Sequence, residues 1–196
     1  MKTSFIQWPK IATLLAVTVF LLTSASCQDK KPATSKTNTS KSGVKPPTVD
    51  IHTAVVSGNL EVVRQHIAAG SDINIRDPFG GSSPLISATV FGKDDIAKVL
   101  IDAGAHLNIQ NNDGSTALHT AAFFCRPAMV KLLLEKGADK SIKNKFNATA
   151  YESVIAPFKD VKAVYEMMGN ALGPMGLKLD FAYIEKTRPE IAAVLK

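Results

Sequence analysis

A glycine recurs at Gly70, Gly104 and Gly137, in steps of 34 and then 33. Ala54, Ala88 and Ala121 keep the same steps, and so do Ile51, Leu85 and Leu118. A fixed period near 33 constrains the fold more than any bulk property. Each unit must be one small supersecondary element that buries its apolar side chains only by leaning on its neighbours.

The clearest unit is the stretch 112–139. Asn112-Asp113-Gly114 opens it as a polar turn. Thr116 is placed to cap a short helix containing Ala117, Leu118, Ala121 and Ala122. Pro127 suits the first turn of a second helix, which carries Met129, Val130, Leu132, Leu133 and Leu134. Gly137 suits its end. In the first unit Asn59 is a cap, and Leu60, Val63 and Ile67 line one helix face. In the second, Gly92 separates the helices, and Ile96, Val99 and Leu100 face the stack. The turn Asp77-Pro78-Phe79-Gly80-Gly81 is longer by one position, which explains why the first step exceeds the second. The fourth turn carries Asn147 where the others carry glycine, and asparagine tolerates the left-handed conformation.

These units resemble the ankyrin repeat. Thr116-Ala117-Leu118-His119-Thr120-Ala121 matches the family's T-P-L-H-x-A motif with Ala at the Pro position, and Ser83-Pro84-Leu85-Ile86-Ser87-Ala88 matches with Ile at the His position. Leu100-Ile101-Asp102-Ala103-Gly104-Ala105-His106 and the run from Leu133 to Asp139 match the unit ends. The resemblance implies an all-α solenoid of helix-turn-helix units with β-hairpin-like turns. The units are expected at 49–77, 78–111, 112–144 and, in part, 145–156. It also implies that His52 and His119, at the motif histidine, hydrogen-bond between neighbouring turns.

The period is lost after Ile155, and 157–196 reads as a divergent helical C-terminal cap that covers the last open face. One helix is expected from Asp160, with Val161, Val164, Tyr165, Met168 and Leu172 on one face. Gly169 to Gly176 should break it. Asp180 should cap a short helix with Phe181 and Ile184, and Thr187-Arg188-Pro189-Glu190 reads as a capping box before a last one.

The leader has its own logic. Lys2 and Lys10 precede an apolar run from Ile11 to Ala25, shorter than the roughly 20 residues a bilayer span needs. Residues 1–26 therefore read as an export signal. Small residues before Cys27 resemble a bacterial lipoprotein processing site, although Ser24 stands where an aliphatic residue is usual. Ordinary cleavage after Ala25 is the other reading. Residues 27–48 then form a lipid-anchored disordered linker, rich in Lys, Ser, Thr and Pro. This reading resembles a small exported bacterial ankyrin-repeat lipoprotein. It places the protein in the bacterial cell envelope, facing the periplasm, on a membrane by a lipidated N-terminus; without acylation the protein is secreted or periplasmic.

The net charge of +6 invites a nucleic-acid partner, but its distribution argues against one. Residues 1–50 hold seven Lys against two Asp, whereas 51–196 hold 16 Lys and Arg against 15 Asp and Glu. No histidine pair has metal-ligand spacing with a carboxylate, no phosphate loop links a strand to a helix, and no catalytic set assembles. The expectation is a non-enzymatic module with no cofactor, metal or small-molecule substrate. A protein partner would meet the concave face. The resemblance puts Val56-Ser57, Val90-Phe91 and Phe123-Phe124 on that face, and the turn tips add Phe79, Asn112, Asp113 and Phe146. Exposed aromatics on one face mark a contact site; the opposing expectation is that Phe91, Phe123 and Phe124 are covered by their own turns or by the tail. Two alternatives share the scaffold. One is an oxidative-stress role through Cys125, whose thiol would be activated by a helix N-terminus and Arg126. The other is an immunity or inhibitor protein against a secreted toxin.

Overall fold

The computed structural model describes residues 44–196. The signal expected at 1–26, Cys27 and most of the linker lie outside the described residues. The described residues form helices and turns, with no strand among them.

Three helix pairs follow one another: α1 (Ile51–Ser57) with α2 (Leu60–Ala68), α3 (Pro84–Val90) with α4 (Asp94–Asp102), and α5 (Ala117–Phe123) with α6 (Pro127–Glu135). Each first helix has only two turns, too few to persist alone in water, so capping and packing must hold it. Asp50 accepts from the Thr53 amide, Ser83 from that of Ile86, and Thr116 from that of His119. The stack encloses Leu85, Leu100, Leu118 and Leu133, each at most 1 % exposed. Burial of one such side chain contributes about 1.5–3 kcal/mol.

The pairs align as two rows. α1, α3 and α5 pack in sequence, and α2 packs on α4 beside them. The first row is extended by α7 (Glu152–Ile155), a single turn closed by reciprocal bonds between Thr149 and Glu152. Two long helices follow, α8 (Phe158–Leu172) and α9 (Phe181–Leu195), joined through a 3-10 turn at Gly173–Met175. α9 packs against α6 and α7, the place a second helix of a fourth unit would take. The sequence register breaks at Pro157, but the packing resumes at α9, with α8 spliced between.

The tail departs from the expected element boundaries in two ways. α8 begins at Phe158 rather than Asp160; it ends at Leu172, the last residue expected on its face, and the break falls at Gly173–Met175. α9 is one helix, not two, although Pro189 lies inside it. Pro189 offers no N–H to the Glu185 carbonyl. The helix persists because Ile184, Arg188, Ile191 and Leu195 are all buried, at the helical spacing of one face. Its last carbonyls, those of Leu195 and Lys196, accept from Lys140 Nζ, each at 3.3 Å, a cation where the helix dipole favours one.

Candidate functional site: turn tips and helix ends

The turns share one construction. Asp77, Asn111 and Asn144 each turn a side-chain oxygen back onto their own loop. Asp77 accepts from the amides of Phe79, Gly80 and Ser82; Asn111 from Asp113 and Ser115; Asn144 from Phe146 and Ala148. Burial would raise the Asp77 pKa, but the Gly80, Phe79 and Ser82 amides together hold it below the usual value. The left-handed position falls at Gly81, Gly114 and Asn147, with φ of 66°, 75° and 57°. Asn147 therefore does stand in the glycine conformation.

Adjacent turns are laced to each other. The Asn112 amide donates to Gly80 O at 2.8 Å, and that of Lys145 to Asp113 O at 2.8 Å. Below the tips, Asn74 and Asn108 repeat the lacing. Their Oδ1 atoms accept from the backbone of His106 and Asp139, one unit further on, at 2.8 and 3.0 Å. The Asn-Ile pair at 74–75, repeated at 108–109, is the sequence signal for this ladder, and a reading built on apolar and glycine positions passes over it.

Phe79 is 92 % exposed and Phe146 61 % exposed on this laced frame. Asp113 is exposed on the turn between them. Asn112 is exposed but occupied: its Nδ2 donates to Phe79 O at 3.1 Å, and its Oδ1 accepts from Arg76 at 3.1 Å. It braces the tip of Phe79 rather than offering free hydrogen-bonding groups.

The helix-end aromatics divide differently. Phe91 is half-buried at the end of α3. Phe124 is only 5 % exposed, which corrects its placement on an open face. Phe123 is half-buried, with Phe124 edge-on at 5.2 Å and the ring of Tyr165 stacked at 4.4 Å. The tail therefore covers Phe123 through Tyr165, and Phe124 is buried beside Phe123.

Tyr165 and Arg188 do not declare themselves as a pair in the sequence, because they stand on separate helices with no shared period. Tyr165 is fully buried, and its hydroxyl donates to Phe123 O at 2.6 Å. Arg188 is 2 % exposed. It donates to the Tyr165 hydroxyl at 2.7 Å and to the carbonyls of Ser153 and Ala156 at 3.3 and 3.0 Å. Its guanidinium has no ion pair among the described residues, and its Nε has no partner. Burial raises the Tyr165 pKa against the lowering effect of Arg188, so the phenol keeps its proton and can donate it.

The histidines depart in part from what the resemblance implied. His119 does link neighbouring turns. Its Nδ1 accepts from the Thr116 amide and its Nε2 lies 3.0 Å from Ala148 O, which requires the neutral tautomer protonated at Nε2. Burial lowers its pKa. His52 makes no such link, since both its ring nitrogens are buried without a partner. His66 instead ties Val49 O to the Ser71 hydroxyl, at 2.8 and 3.0 Å.

Cys125 is not activated. It is 1 % exposed with Sγ toward Ile184 O at 3.6 Å. Burial pushes its thiol up to about 11, outweighing Arg188 and Arg126. No group of three metal-ligating side chains is assembled, and no helix is long and apolar enough to cross a membrane, among the described residues.

Residues 51–144 match the family model for ankyrin repeats, in three copies. A stretch of 64 residues, 33 % of this chain, is 45 % identical to human protein phosphatase 1 regulatory subunit 27 and covers 41 % of it. A stretch of 71 residues, 36 % of the chain, is 34 % identical to an ankyrin repeat-containing protein of Schizosaccharomyces pombe and covers 34 % of it. Mouse protein phosphatase 1 regulatory subunit 12A is 36 % identical over 67 residues, 34 % of the chain and 6 % of that protein. The chain thus spans less than half the length of each of these relatives. The repeats and the regulatory-subunit relatives point to a protein-interaction module. Over residues 51–144 the chain is an ankyrin-repeat helical solenoid.

Proposed function

We propose that this protein is a non-enzymatic binding module that holds a protein partner on its row of turn tips and the adjoining helix ends. The observation that carries the reading is the pair Phe79 and Phe146, two large rings in solvent on turns that are hydrogen-bonded within themselves and to their neighbours. Exposed rings on a rigid frame lose little freedom on binding, which is what an interface anchor requires. Phe91, Val56 and Val90 add partly covered surface at the ends of the first helices. The regulatory-subunit relatives support a role exercised on another protein. The leader supports delivery to a bacterial envelope, with Cys27 acylated and the repeats held off the membrane by the linker.

The test is a matched pair of variants in the full chain. Phe79→Ser with Phe146→Ser should lose the partner that the wild-type chain retains after crosslinking in envelope extract, with the same unfolding midpoint. Retention of that partner by the double variant would defeat the reading. Cys27→Ser should move the protein from the membrane fraction to the soluble one, and unchanged fractionation would defeat the anchor.

A further inference from the structure

α8 is an odd helix. It is not α8 but α9 that fills the fourth unit's second-helix place, by packing on α6 and α7. Along its whole length only Val161 and Tyr165 are buried, and Val164 and Met167 face solvent. It is bounded by Pro157 on one side and by Gly173 and Gly176 on the other, with Gly176 in a left-handed conformation at φ 99°. A cleft of roughly 380 Å³ runs beside its first turn, lined by Pro157, Phe158, Arg188 and Pro189 among others.

α8 contributes Val161 at the edge of the core, Phe158 against Phe181 and Tyr165, and one fully buried side chain, Tyr165, in a formed seat. The Tyr165 ring lies on Phe123, and its hydroxyl sits between Phe123 O and Arg188 Nη1. Phe123 is the last residue of α5, so its carbonyl has no partner within the helix. Arg188 is held from below by Ser153 O and Ala156 O, independently of α8. If α8 leaves, the seat remains: an aromatic face, a free acceptor and a free cationic donor, set for a phenol.

We infer that α8 is an intramolecular occupant of this seat, which lifts away on Pro157 and Gly173–Gly176 so that a tyrosine of a protein partner takes the place of Tyr165 between Phe123 and Arg188. The inference deepens the proposed binding role and rests on it for the identity of the occupant. The opening itself is a property of the free protein. An opening of this kind is sub-global: α8 exchanges its amides without the stack unfolding.

The test has two arms, and neither uses the Phe79 and Phe146 tips, so their failure leaves it intact. In native-state hydrogen exchange of the full chain, α8 amides should exchange at least about tenfold faster than those of α4 and α6, with a weaker denaturant dependence. Exchange of α8 only together with α6 would overturn the proposal. In the second arm, a fluorescent peptide spanning 157–173 is added to full-length Tyr165→Ala protein. It should bind, compete with excess unlabelled peptide, and lose at least about tenfold in affinity when its own tyrosine is replaced by alanine or when Phe123→Ala is added to the protein. Equal binding of the alanine peptide, or no binding to a Tyr165→Ala protein whose exchange shows an intact stack, would overturn it.

Discussion

Cys125 holds φ at 53° in the turn between α5 and α6, the conformation that Gly92 holds at 62° in the turn between α3 and α4. The repeat demands a left-handed residue here, and the third unit meets it with a side chain that has a backbone penalty of about 1–2 kcal/mol. The thiol recovers part of that by filling buried space beside Ile184. Cys125→Gly should therefore change stability by less than about 1 kcal/mol, whereas Cys125→Val, β-branched and strained, should lose at least about 2 kcal/mol. Urea denaturation of the three chains measures both.

The same thiol should be silent to reagents. With its pKa pushed up to about 11 and no surface to attack, it should react with a disulfide reagent at about pH 8 only as fast as the native fold opens. Fast labelling in buffer, before any denaturant is added, would contradict the buried placement and revive a redox role.

His119 is neutral in the fold because its Nδ1 must accept from Thr116. Its pKa is lowered from the ordinary 6.5 by burial, so the unfolded chain binds the proton first. Stability should be full above about pH 6.5 and fall as the pH drops below it. This window lies above the range in which Asp77 and Glu152, whose pKa values are lowered from 3.8 and 4.5, take up protons. His119→Gln should flatten the pH dependence of the urea midpoint between about pH 6.5 and 5.

The stack and the tips should separate by mutation. Leu133→Ala removes a fully buried side chain from the third unit and should lower stability by about 2–5 kcal/mol. Phe79→Ser should change it by less than about 0.5 kcal/mol, since the ring touches solvent on nearly all sides. A large loss from Phe79→Ser would mean that the tip ring is a packing residue.

Arg188→Met should be destabilising, because the carbonyls of Ser153 and Ala156 and the Tyr165 hydroxyl lose a charged donor together. The expected loss is about 3 kcal/mol. Near-UV circular dichroism should report the loss around Tyr165 before the repeats melt.

The repeats are legible because each of their features is local and recurs. The unit-end glycines, the small residue of each first helix and its buried aliphatic residue sit at fixed offsets, so three copies confirm one another. Even the substitution of Asn147 for glycine can be read from its place in the period. The C-terminal region offers no such redundancy. Thr187-Arg188-Pro189-Glu190 has the letters of a helix start, but α9 is packed by α5, α6 and α7, and burial of Ile184 and Ile191 carries the helix through the proline. Analogy with the open faces of other units misplaces Phe124, which is buried. Phe123 is partly covered by Tyr165, far along the chain on α8, and no local pattern announces a contact of that span. His52 shares a motif position with His119 but not its link, because the motif specifies a place and the neighbouring turn must supply the acceptor.

The splice at Pro157 has a practical corollary. α9, not α8, docks on α6 and α7, and the connection at 173–176 between the two long helices has no buried residue. A foreign loop, a fluorescent reporter or a protease site grafted at that connection will ride on an unchanged scaffold, with Tyr165 still in place upstream of it.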